Sequence, residues 1–295
     1  LTAEAACRLK HLWQIPLLAT IHATERGRGR GSLNGRAAQQ INDQEWLLSY
    51  EAWRIIVCSR FMLGQVTESF GTPADKIDVV PNGIAPTCDP FCSEEERWAF
   101  RRRFVADDQR LVFYVGRIVA EKGLQVLLDA WPQISRAHAR LLVAGTGGYL
   151  DALQNQALTA GLAEQVCFAG FMSDDERDKI YRVADVAVFP SLYEPFGIVA
   201  LEASAAGCPL VVSDAGGLAE VVRHGETGLI APAGDAAALA AAVLECLNAP
   251  VPARARAVAA LAEVRRAYSW DRIAATTSAI YHRVLSEWQA SSRGK

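Results

Sequence analysis

Residues 186–202 read VAVFPSLYEPFGIVALE, and the plan of the whole chain is visible in them. Val186 to Pro190 is a short apolar run with β-branched residues. Ser191-Leu192-Tyr193-Glu194-Pro195-Phe196-Gly197 then turns, because Pro195 and Gly197 stop the chain from continuing smoothly. From Gly197 to Ala206 the spacing is helical. The same strand, turn and helix recur from about residue 111 onward: LVFYV (111–115), RLLVA (140–144), QVCFA (165–169) and PLVVS (209–213) each end in a turn of small or polar residues. Continuous apolar strands separated by helices imply a parallel sheet covered on both faces. Ligands bind outside the carboxyl ends of such strands, so these turns are expected to line one site.

Two of the turns carry chemistry. In the first, Glu194 and Glu202 are eight residues apart, about 12 Å on a continuous helix, too far for paired glycosidase carboxylates. The turn breaks that helix, and the N–H groups at the start of the segment from Gly197 suit a diphosphate. The plain alternative is a strand-to-helix turn whose glutamates cap and solvate. The second is Gly116-Arg117-Ile118-Val119-Ala120-Glu121-Lys122-Gly123, directly after LVFYV. Arg117 can fork onto phosphate oxygens, Lys122 adds a mobile point charge, and Gly116 and Gly123 permit a tight turn. A solvated surface pair is the alternative there.

Residues 1 to about 90 repeat the pattern incompletely. A helical Leu1 to Trp13 leads to strand 16–22, a helix around 39–52, strand 54–59, a helix from Arg60 to Phe70 and strand 76–80. Three strands are few for a free-standing doubly wound domain, so 1–90 is expected to be the second half of a first domain. Pro81-Asn82-Gly83, Pro86 and Pro90 mark a connector, and the charged helix Ser93 to Phe104 opens a second domain over 91–268. The segment 269–295 is expected to form a C-terminal helix with an apolar face, packing back towards the first domain. The chain begins at Leu1 with no leader-like segment, as expected of a piece of something longer.

Composition narrows the classes. The 295 residues carry 30 Lys plus Arg against 33 Asp plus Glu, for a charge of -3, and are 51% hydrophobic. That allows about two domains and gives no field to draw in nucleic acid. The longest apolar stretch, Ala236 to Leu244, falls well short of the roughly 20 residues needed to cross a bilayer. The seven cysteines are scattered, which fits a reducing, cytoplasmic setting. Cys88 and Cys92 form a lone C-x3-C without a second pair at metal spacing, so no metal site is expected.

Taken together, GRIVAEKG, the VAGTGG turn, FAGFMSDDE, the E-x7-E run through CPLVVSDAGGLAEVV, and HGETGLIAPAGD resemble the donor domain of glycosyltransferase family 4 over about residues 111–245. ATIHATERGRG, SYEAWRIIVCSRFM and DKIDVVPNGI resemble its bacterial glycogen-synthase-like branch. The resemblance implies a GT-B architecture: an α/β fold of two Rossmann-like domains with a cleft between them, the first incomplete here. It implies retaining transfer of a hexosyl group, most simply glucose, from a nucleoside diphosphate sugar to a saccharide such as an α-glucan, with no cofactor and no metal at the reaction centre. By position, Arg117 and Lys122 match the phosphate clamp, Glu194 the acidic residue against the donor sugar, and Glu202 the carboxylate that holds the ribose hydroxyls. Phe196, Gly197, Ile198 and Val199 match the backbone donors, Gly116 belongs to the clamp turn, and Gly145 and Met172 lie near the nucleobase. His22 matches the histidine that faces the sugar across the cleft; a strand-end histidine with a structural role is the alternative.

Other readings stay open. Arg26 to Gly31, continuing to Arg36, reads as a mobile cationic loop at the cleft mouth or as a short RNA-binding tract. Gly145-x-Gly147 does not complete a dinucleotide fingerprint, since position 150 is Leu. The functional alternatives are a family 4 transferase for a lipid-linked or cell-envelope saccharide, with peripheral membrane contact, and a non-catalytic nucleotide-binding module. The complete protein is expected to be an enzyme, with turnover by these 295 residues alone left open.

Overall fold

A computed structural model describes residues 2–293; Leu1, Gly294 and Lys295, at the ends of the expected first and last helices, lie outside the described residues. Contacts divide the chain into two compact units, one built from the residues up to Gly83 and those from Tyr268 on, the other from Ile84–Ala267. The division thus falls earlier than the expected boundary near residue 90. The connector explains the difference, because side chains bind it to the second unit. Thr87 Oγ1 donates to the carbonyl of Ala205 at 3.1 Å, Arg182 donates to Thr87 Oγ1 and to the Cys88 carbonyl, and Arg97 pairs with Asp89 at 2.6 Å.

The first unit contains helix α1 (Thr2–Trp13), β1 (Leu18–Ile21), α2 (Glu25–Arg28), α3 (Gly35–Glu51), β2 (Arg54–Val57), α4 (Arg60–Phe70) and β3 (Ile77–Val79). Its three strands are parallel in the order β1-β2-β3. The arginine- and glycine-rich tract is not wholly a loop. Thr24, fully buried, accepts from Gly27 N at 3.0 Å and caps α2, while both oxygens of Glu45 accept from Glu25 N at 3.0 Å. A cap and a distant carboxylate therefore override the poor helix propensity of glycine.

The second unit continues with α5 (Glu94–Arg101), β4 (Arg110–Val115), α6 (Leu124–Ile134), β5 (Ala139–Ala144), α7 (Leu150–Thr159), β6 (Val166–Gly170), α8 (Asp174–Val183), β7 (Val186–Phe189) and α9 (Ile198–Ala205). It closes with β8 (Leu210–Ser213), α10 (Leu218–Val221), β9 (Leu229–Ala231), α11 (Ala236–Asn248) and α12 (Pro250–Ala267). Six parallel strands lie in the order β6-β5-β4-β7-β8-β9. Sequence order reverses direction between β4 and β7, which makes their carboxyl ends the switch point of a doubly wound sheet. Every residue of β7 and β8 is buried, as their unbroken apolar sequences require. Fully buried Trp131 packs in this core, and its indole N–H reaches Gln165 Oε1 at 3.1 Å.

Helix α13 (Trp270–Arg293) returns to the first unit. Ile273, Ile280 and Val284 pack with Ile56 and Val80, and Glu287 accepts from the Trp53 indole at 2.9 Å. Arg283 joins Arg54 on Asp78. Burial pushes the Asp78 carboxyl up, but hydrogen bonds from Arg54 and Arg283 outweigh it and hold the carboxyl below its ordinary range. Among the described residues no single helix is long and apolar enough to cross a membrane. The pair α11 and α12 is apolar enough by composition but bends by 99°, and α11 buries Leu239, Ala240 and Val243 in the core.

Candidate active site

The turns after β4 and β7 are locked together by backbone. The carbonyl of Glu121 accepts from Leu192 N at 2.8 Å and from Tyr193 N at 3.2 Å. Gly123 has φ +71°, and a Cβ there would lie 1.8 Å from the carbonyl oxygen of Pro190, so only glycine permits the approach. From the β8 side, Ser213 Oγ donates to the carbonyl of Ser191 at 2.6 Å, and Gly217 N donates to the carbonyl of Glu194 at 2.8 Å. This frame places Lys122 Nζ 2.6 Å from Glu194 Oε2. The lysine side chain is 20% exposed and the glutamate 10%. The two clamp and sugar residues read from the sequence, 72 positions apart, thus form one ion pair at the switch point.

Arg117 differs from Lys122. Its side chain is 65% exposed and meets Glu121 at 3.3 Å, a pairing worth little in water that leaves the guanidinium available to an anion. Tyr114 beneath it donates to the Arg117 carbonyl at 3.5 Å, and burial pushes its phenol far up, so it stays neutral. Gly116 and Gly145 touch through backbone: a Cβ on Gly145 would lie 1.9 Å from the Gly116 carbonyl oxygen, and one on Gly147 2.2 Å from that of Ile118. Packing of the β5 turn on the β4 turn therefore accounts for both glycines of the G-x-G.

Gly197, at φ +103°, begins α9, and its carbonyl accepts from Ala200 N and Leu201 N. The N–H groups of Ile198 and Val199 are in the first turn, where a helix offers no partners of its own. Ile198 is exposed, Val199 half-buried and Phe196 buried, so Phe196 can serve a ligand only through backbone. Met172 is half-buried past the end of β6, next to Phe171, which is 81% exposed. His22 belongs to the first unit, exposed just past β1, where its carbonyl accepts from Cys58 Sγ at 3.9 Å. Cys88 and Cys92 are both exposed, and among the described residues no three His, Cys, Asp or Glu side chains converge where a metal ion could sit.

Glu202, on the second turn of α9, is 3.3 Å from Arg177 of α8. Burial pushes its carboxyl above the ordinary glutamate value; Arg177 pulls it back, and Asp178 and Asp174 push it further up. A raised folded value means that Glu202 favours folding fully below its unfolded value of about 4.3 and loses that contribution as pH rises through the folded value. Glu202→Gln carries no charge and is expected to melt higher than the parent chain at pH 7, converging with it at pH 4. Thermal melts at the two pH values read this; a lower melting temperature for the variant at pH 7 contradicts it.

The profile of Glycosyl transferases group 1 matches residues 96–263, more than half of the chain, and that of Glycosyltransferase Family 4 matches residues 2–87. The chain belongs to the group 1 glycosyl transferases. It is 38% identical over 284 residues to an uncharacterized glycosyltransferase of Methanocaldococcus jannaschii, covering 95% of this chain and 73% of that protein. It is also 38% identical over 283 residues to a glycogen synthase of Mycobacterium tuberculosis, covering 95% and 66%. This glycosyltransferase chain therefore spans about two thirds to three quarters of the length of these relatives. Among solved structures, Anabaena HepE in complex with UDP and glucose superposes with a TM-score of 0.83 at 21% identity, over 95% of this chain and 75% of that one. Sucrose-phosphate synthase of Thermosynechococcus elongatus gives 0.82 at 27% identity, over 97% and 72%. The fold is that of the GT-B glycosyltransferases.

Proposed function

We propose that this glycosyltransferase moves a glucosyl group from a nucleoside diphosphate sugar to a saccharide acceptor such as an α-glucan, with retention of anomeric configuration. The observation that carries the reading is the Lys122–Glu194 pair at the switch point, with exposed Arg117 on the same turn and the start of α9 following Glu194. As the bond between the sugar and the diphosphate breaks, its electrons pass to a phosphate oxygen. Arg117, Lys122 and the first N–H groups of α9 stabilise that charge, which is the kind of preorganised donor set that lowers barriers most. Glu194 faces the sugar, Glu202 holds the ribose hydroxyls, and Gly145 and Met172 lie near the base. No metal is invoked in this scheme. The seven scattered cysteines suit a cytoplasmic setting.

The M. tuberculosis glycogen synthase supports glucose and an α-glucan. A second reading, a lipid-linked acceptor, draws on the Mycobacterium leprae phosphatidyl-myo-inositol mannosyltransferase, 37% identical over 74% of this chain. Incubating the whole protein with ADP-, UDP- or GDP-linked sugars and either maltooligosaccharide or phosphatidylinositol vesicles separates the two. The proposal expects an α-linked product on the maltooligosaccharide by NMR; transfer only to the vesicles, or a β-linked product, contradicts it.

A further inference from the structure

Arg177 was not singled out by any pattern in the sequence, yet it is the cation nearest the proposed ribose carboxylate. It lies on the first turns of α8, with 21% of its side chain exposed, and is shared by three carboxylates: Glu202 at 3.3 Å, Asp174 at 2.8 Å and Asp178 at 3.0 Å. Besides burial, the groups that act most on Glu202 come from α8: Arg177 and the Tyr181 hydroxyl favour its ionised form, and Asp178 and Asp174 oppose it. An ionised carboxylate accepts through both oxygens and can hold two neighbouring hydroxyls at once, whereas a protonated one turns one oxygen into a donor. Removing the one guanidinium from this half-buried group would leave three acids together and drive Glu202 towards its neutral form.

We propose that Arg177 is a positioning residue for nucleotide specificity: its guanidinium fixes Glu202 on the α8 side and keeps it ionised, and so sets how strongly the site prefers a ribose with free 2′- and 3′-hydroxyls. The proposal rests on the reading of Glu202 given under Proposed function. A purely structural bridge between α8 and α9 would instead support all nucleotides alike.

The test is calorimetric titration of the 295-residue chain with ADP, UDP and GDP and with their 2′,3′-dideoxy analogues. The preferred nucleotide is expected to bind Arg177→Met about 10-fold more weakly than the parent chain, the loss of one hydrogen bond to a charged group, while its dideoxy analogue changes by less than about 2-fold. Arg177→Lys keeps the charge and is expected to recover most of the ribose preference. In Arg177→Met the ribonucleotide affinity is expected to fall more steeply as pH is lowered than in the parent chain, because Glu202 there lacks its cation. If Arg177→Met does not fold, Arg177→Gln takes its place. Equal weakening of the ribo and dideoxy ligands, or no change in either, overturns the proposal. Failure of the underlying reading looks different: the parent chain then binds none of the nucleotides, or Glu202→Gln leaves the ribose preference intact, and the role of Arg177 falls with it.

Discussion

Replacing Lys122 by alanine is expected to lower turnover of the whole protein by about 100-fold or more, the loss that follows from removing one preorganised donor to a developing charge. The substitution does a second thing. Glu194 is buried with Lys122 Nζ at 2.6 Å, so the alanine variant leaves a buried carboxylate without its cation and is expected to lose about 3 kcal/mol of stability. The two effects separate in a double variant. Lys122→Ala with Glu194→Gln removes the stranded charge and recovers most of the stability, but not turnover, since neither the phosphate clamp nor the sugar contact is restored. An ammonium has three donors, so Lys122 can keep Glu194 oriented while it serves a phosphate oxygen. Urea denaturation and steady-state kinetics of the two variants check both halves; near-normal turnover in Lys122→Ala contradicts the clamp.

Gly123→Ala is expected to damage the site as much without touching a charged group. At φ +71° an alanine is strained, and its Cβ would lie 1.8 Å from the Pro190 carbonyl oxygen, backbone that cannot move without carrying Ser191 to Glu194 with it. Strain and overpacking each cost about 1–3 kcal/mol. The turn after β7 must shift, which breaks the two bonds to the Glu121 carbonyl and separates Lys122 from Glu194. Nucleotide affinity and melting temperature should fall together. Gly148→Ala is the control: nothing lies within 4 Å of its added carbon, and its stability is expected to stay within about 0.5 kcal/mol of the parent chain. Equal behaviour of the two variants in thermal melts contradicts the account.

What the sequence disclosed follows from range. Apolar runs as dense as VAVFP and PLVVS announce buried parallel strands because every residue in them must leave water. The candidate residues could be picked out for the same local reason, since Arg117, Lys122 and Glu194 stand in or beside turns that end strands and Glu202 follows on the helix that begins after one. Their pairing could not. Lys122 meets Glu194 only because the sheet order places β7 beside β4, and nothing local encodes that order. Arg177 was missed because its partner in space, Glu202, is 25 residues on and on another helix. Helix α2 was missed because glycine and arginine read as loop while its support, Glu45, comes from α3. Strand β9 is only Leu229–Ala231, too short for a period to register. The connector was assigned by its prolines, whereas Arg97, Arg182 and Thr87 decide to which unit it belongs.

The central claim is that the carboxyl ends of β4 and β7 hold a nucleoside diphosphate. Arg117 tests it most directly, since its side chain is 65% exposed and its ion pair with Glu121 is worth little in water, so its removal is expected to leave the fold intact. Titrating the chain and Arg117→Ala with ADP, UDP and GDP in a calorimeter is expected to show one nucleotide bound by the parent chain and at least about 10-fold weaker binding by the variant. A folded parent chain that binds none of the three, or a variant that binds as tightly as the parent, would contradict the account.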